Sequence, residues 1–109
     1  MSEEKIFAPQ PCKRAGGKEA SEWTIKDHFQ KINEELDELK NEINGWCWDL
    51  ATFARTEKND AKWKKSIAEE AADTITAITT MLEALGIDEK MRNEAQRQIN
   101  ERNRERGRL

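Results

Sequence analysis

Tyrosine is missing from this chain, and 109 residues hold only two prolines, five glycines, two cysteines and one histidine. Each shortage excludes something. Cys12 and Cys47 are too few for a disulfide framework and sit in neither a CxxC nor a Cys/His spacing, so a zinc site has no motif to rest on. A single histidine, His28, rules out the paired Glu-x-x-His signature of di-iron helical bundles and reads as structural or solvent-facing. Runs of alternating β-branched residues are absent as well, so the chain reads as all-α. No apolar stretch reaches 18 residues and the N-terminus lacks the apolar core of a signal peptide. The expectation is a soluble, cytoplasmic protein without a membrane partner.

Apolar residues are also scarce, at 36% against 38% charged. A single small domain with so little to bury has a marginal core, and association into a homodimer or homotetramer is the expected remedy. The charge is uneven. From Lys90 onward seven basic residues face three acidic ones, a balance of plus four, which leaves minus seven on residues 1–89. Such a basic tail binds a polyanion or balances the acidic helices of its own domain.

Residues 1–21, with Pro9, Pro11, Gly16 and Gly17 among scattered charges, read as a flexible N-terminal arm, and residues 22–109 as one helical domain. Ser21, or Thr24 in competition with it, caps a helix whose stripe of Ile25, Phe29, Ile32, Leu36, Leu39 and Ile43 repeats at spacings of four and three. Asn44-Gly45 gives a stop signal. A short helical segment bearing Trp46 and Trp48 follows to Ala54, then a polar loop from Arg55 to Asp60. A second long helix starts near Ala61, with Ile67, Ala71, Ile75, Ile78, Leu82 and Leu85 as its stripe and a small-sided strip of Glu70, Asp73, Thr74, Ala77 and Ala84 beside it. Gly86 ends this helix, and Asp88 caps a last one running to about Arg104. The reading is a bundle of about four helices per chain, its four-helix core completed by oligomerisation.

Two acidic clusters stand out, Glu34-Glu35-Leu36-Asp37-Glu38 and Glu69-Glu70-Ala71-Ala72-Asp73. Residues three apart share a helix face, so Glu35 with Glu38 and Glu70 with Asp73 can converge if the two helices pack antiparallel. Crowded carboxylates repel unless a cation neutralises them. Oxygen-only ligation suits Mg²⁺, with Mn²⁺ the alternative, and a cation so held is well placed to bind phosphates.

The order Glu35-x-x-Glu38, then Lys65-x-x-x-Glu69-Glu70-x-x-Asp73, resembles the metal-binding signature of the all-α nucleoside triphosphate pyrophosphohydrolases. These are the MazG-like group related to dimeric dUTPases and phosphoribosyl-ATP pyrophosphatase. The resemblance spans residues 22–107 and includes Leu85-Gly86-Ile87-Asp88 and Asn103-Arg104-Glu105-Arg106-Gly107, which look like endings of short, phage-type members. It implies Mg²⁺-dependent hydrolysis of a (deoxy)nucleoside triphosphate between the α and β phosphates, with Glu35, Glu38, Glu70 and Asp73 as the metal-holding catalytic acids. It also implies a last helix whose Asn103 and Arg106 lie near the nucleotide.

Phosphates need cationic partners besides a metal, and Lys65, a turn before the second cluster, is a candidate. Trp46, beside the first acidic helix, is a candidate for stacking on a base. Two other readings compete. The basic tail can make the chain a helical module that binds nucleic acid or protein, although it has no interleaved aromatic residues; or the chain binds nucleotides without turning them over.

Overall fold

The computed structural model describes residues 8–52 and 56–109. It is an all-α arrangement of three long helices preceded by a small hairpin. Strands β1 (Arg14–Ala15) and β2 (Lys18–Glu19) pair antiparallel. Gly16 and Gly17 form the turn with φ of 56° and 79°, the two positive values that a two-residue hairpin of the primed type requires. A single 3₁₀ turn, Ala20–Glu22, leads into helix α1 (Ile25–Ala51), followed by α2 (Glu57–Ala84) and α3 (Glu89–Glu105). The described part of the N-terminal arm is therefore folded back as a hairpin, with the Cys12 N–H donating to Thr80 Oγ1 of α2 at 2.9 Å. Ala54, within the expected short segment, and Arg55, at the start of the expected loop, lie outside the described residues.

Among the described residues the helix count is three, where about four were expected, and the cause is local. Gly45 does not end α1, which runs on through Trp46 and Trp48 to Ala51. Its backbone is not in the left-handed region. What glycine provides there is space, because a Cβ at this position would meet the Trp63 ring of α2. Thr24, not Ser21, caps α1. Asp27 completes a capping box by accepting from the Thr24 N–H at 2.9 Å while its own N–H donates to Thr24 Oγ1. The expected loop is shortened in turn, because Thr56 accepts from the Asn59 N–H and starts α2 at Glu57.

The other boundaries fall where the sequence puts them. Gly86, with φ of 81°, ends α2 in a Schellman arrangement: its N–H donates to the Glu83 carbonyl and that of Ile87 to Leu82. Asp88 Oδ1 accepts from the Met91 N–H and starts α3.

Helices α1 and α2 form the antiparallel pair that organises the chain. Trp46 Nε1 donates to Asp60 Oδ1 at 2.7 Å, and Trp63 Nε1 donates to Asp49, so early residues of α2 meet late residues of α1. The buried positions are unusual. Thr74, Thr79 and Thr80 are buried, each hydroxyl donating to the carbonyl four residues back, which lets a polar side chain leave water without an orphaned group. His28 and Glu35 of α1 are buried as well. The apolar stripes are not: Phe29 is 54% exposed, Leu85 50% and Met91 53%, and Ala20 is the one buried hydrophobic residue among those described. Helix α3 packs extensively against neither α1 nor α2. The radius of gyration is 17.2 Å, against about 13 Å for a compact domain of this length.

Candidate metal centre

Helix periodicity sets the site. His28, Lys31, Glu35 and Glu38 follow one another at spacings of three, four and three, which keeps all four on one face of α1. Glu70 and Asp73 are three apart on α2, and Asp73 lines a cavity together with Ala77 and Thr80 of the same helix and Cys12 and Ala15 of the hairpin segment.

Three of the four expected acids converge. Glu35, Glu38 and Glu70 each offer a carboxylate oxygen, and the three atoms lie within 4.8 Å of one another. Glu35 is only 7% exposed. Its Oε1 accepts from the Lys31 ammonium at 2.8 Å, while its Oε2 is covered and has no partner. Glu70 Oε2 is likewise covered and unpartnered. Asp73 is exposed and stands outside this trio, yet it lines the same cavity as Glu35 and His28 and its charge acts on Glu70.

The electrostatics follow from the crowding. Desolvation holds the Glu70 carboxyl above the ordinary glutamate value, with hydrogen bonding to Glu38 and the negative charges of Glu38, Asp73 and Glu35 adding to it. Lys31 moves the same way, raised chiefly by its hydrogen bond to Glu35. Three carboxylates facing one ammonium leave an excess of negative charge beside two carboxylate oxygens that no protein donor satisfies. That donor set fits a hard divalent cation. Lys31 also lines an adjoining cleft with Lys18, Trp23 and Glu34.

The four expected substrate contacts are dispersed. Lys65 is exposed on α2, five residues before Glu70 and so about 140° away around the helix. Trp46 is half-buried, tied to Asp60, and eight residues beyond Glu38, about 12 Å along α1. Asn103 accepts from Arg108, and Arg106 caps the C-terminus of α3. Arg92 ties α3 to the end of α2 and the loop after it, donating to Glu83 at 2.6 Å and to the Ile87 carbonyl. None of the four lines the cavity that Glu35 and Asp73 share. The cations of α3 are largely paired within the chain, Arg97 with Glu94 and Arg104 with Glu101.

His28 gains a significance that sequence reasoning did not give it. His28 is buried, and Trp23 packs against it with ring centroids 5.3 Å apart. The signal was the seven-residue step from His28 to Glu35, two helical turns on one face. No protein-family model, curated protein or solved structure matches the chain.

Proposed function

We propose that the protein hydrolyses a nucleoside triphosphate between its α and β phosphates in a Mg²⁺-dependent reaction, releasing the monophosphate and pyrophosphate. One observation carries this reading: buried Glu35 and half-buried Glu70, each with an unpartnered carboxylate oxygen, meet Glu38 within 4.8 Å. Desolvated acids held together with an oxygen unpartnered on each of two of them are costly unless a cation completes them.

In this reading Glu35, Glu38 and Glu70 hold the cation, and Asp73, one turn beyond Glu70, supplies the fourth acid. A bound Mg²⁺, or Mn²⁺ in its place, offsets phosphate charge and makes a water molecule more acidic. The remaining work falls to the chain. Without the cation the surroundings of Glu70 favour its protonated form, and the cation would take the place of that proton. Lys31, beside the acids and facing the adjoining cleft, offers a mobile ammonium to a phosphate oxygen once Glu35 is engaged elsewhere.

A second copy of the chain belongs to the proposal. The half-exposed stripes of Ile25, Phe29 and Ile43 on α1 and of Ile78 and Leu85 on α2 offer the apolar surface of a bundle still short of helices. A homo-oligomer that covers them supplies the missing core.

The direct test incubates purified protein and Mg²⁺ with each standard ribo- and deoxyribonucleoside triphosphate and measures pyrophosphate and monophosphate. At least one substrate should yield both in equal amounts. Silence from all of them, with the protein folded, overturns the proposal.

A further inference from the structure

The cavity that shares Glu35 and Asp73 with the acidic trio has a second end that metal chemistry does not use. Its volume is about 240 Å³. That is below the ~300 Å³ at which pockets for drug-sized ligands begin, so it suits a planar ring better than a whole nucleotide. Cys12 and Ala15 of the hairpin segment, Trp23, and Ala77 and Thr80 of α2 supply its walls. The Cys12–Thr80 hydrogen bond holds the hairpin over it.

His28 gives this end a chemical preference. The residue is 2% exposed, lines the cavity, and its Nε2 has no hydrogen-bond partner. Buried polar atoms in finished cores are almost always paired, so an orphan of this kind on a residue that lines a cavity points to a ligand. A neutral imidazole nitrogen donates or accepts according to tautomer, and so can meet a ring nitrogen, an amino group or a carbonyl. Trp23 adds an aromatic surface beside it, suited to a flat heterocycle. Along α1, His28 and Glu35 are seven residues apart, about 10 Å of rise, which lets one molecule present a base at one end and phosphates at the other.

We propose that this hairpin-covered cavity is the nucleobase subsite and that His28 is the residue that selects the base. The assignment rests on the nucleotide reading of the acidic trio. It makes the N-terminal hairpin part of the binding site.

Because the chain has a single histidine, every imidazole signal in a heteronuclear NMR spectrum belongs to His28, and no variant is needed to assign it. Full-length protein in EDTA is titrated with adenosine, guanosine, cytidine, uridine and thymidine. One or more should shift the His28 ring resonances saturably at millimolar concentration or below. In the presence of Mg²⁺, His28→Gln should then reduce discrimination between the best and worst triphosphates in kcat/KM by about ten-fold or more. No shift from any nucleoside overturns the subsite, and so do unchanged base ratios in His28→Gln. Saturable shifts without pyrophosphate from any triphosphate keep the subsite and discard hydrolysis; hydrolysis with a silent His28 does the reverse.

Discussion

Trp63 of α2 lies so close to the α1 backbone at Gly45 that a Cβ built on the glycine would fall 2.5 Å from its Cη2 atom. The indole cannot easily give way, since its Nε1 donates to Asp49. In an open helix an alanine here would gain up to about 1 kcal/mol. Here overpacking costs about 1–3 kcal/mol, and the second effect wins. Gly45→Ala should lower the thermal midpoint by several degrees, and a rise would mean that the ring moves freely.

Glu70 predicts a pH dependence of stability. Its carboxyl group is held above the ordinary value of 4.5, first by desolvation and then by Glu38. The folded state therefore favours the protonated form, and the stability this confers is complete below the ordinary glutamate pKa and lost as pH rises through the elevated one. Glu70→Gln cannot ionise. In EDTA it should melt above the unsubstituted protein at pH 7, the gap closing by about pH 4. Mg²⁺ should raise the midpoint of the unsubstituted protein more than that of Glu70→Gln, by linkage to binding. A Glu70→Gln that melts lower at pH 7 would show that the charge is already compensated.

Lys31 sets up a competition. Its ammonium occupies Glu35 Oε1 at 2.8 Å, so the acids already carry one positive charge, and the hydrogen bond keeps the group protonated through neutral pH. Lys31→Met should tighten Mg²⁺ or Mn²⁺ binding several-fold by calorimetry in the absence of nucleotide, while raising KM for the triphosphate. Weaker metal binding would assign Lys31 a purely structural place.

Glu38 and Asp73 are exposed, and replacing either with alanine should change stability by no more than about 0.5 kcal/mol. Loss of pyrophosphate release by more than about 100-fold, the scale of one lost transition-state contact, is expected beside an unchanged far-ultraviolet circular dichroism spectrum. Activity retained in Asp73→Ala would confine the centre to Glu35, Glu38 and Glu70.

What could be read from the chain, and what could not, divides by distance along it. Gly86 and Asp88 act through bonds to residues a few positions away, so their roles are written locally. The pairing of Glu35 with Glu38 was equally visible, because helical periodicity needs no knowledge of partners. Asn44-Gly45 has the composition of a terminator, but its behaviour is decided by Trp63, eighteen residues on, and no local rule contains that. The burial of His28 depends on a hairpin that returns to meet Thr80 across 68 residues. Thr24 misled less: Asp27, three residues later, was the clue that favoured it over Ser21.

The half-covered stripes carry a consequence for the bench. If a partner chain completes the core, the free energy of folding includes an association term, and dilution becomes a denaturant. The thermal midpoint should climb with protein concentration, and the specific activity of the proposed hydrolysis should fall away when the protein is assayed at nanomolar levels after storage at micromolar ones. Sedimentation across the same range should show the mass dropping in step with the activity. A midpoint that ignores concentration would show a single chain stable with Phe29 and Leu85 in water.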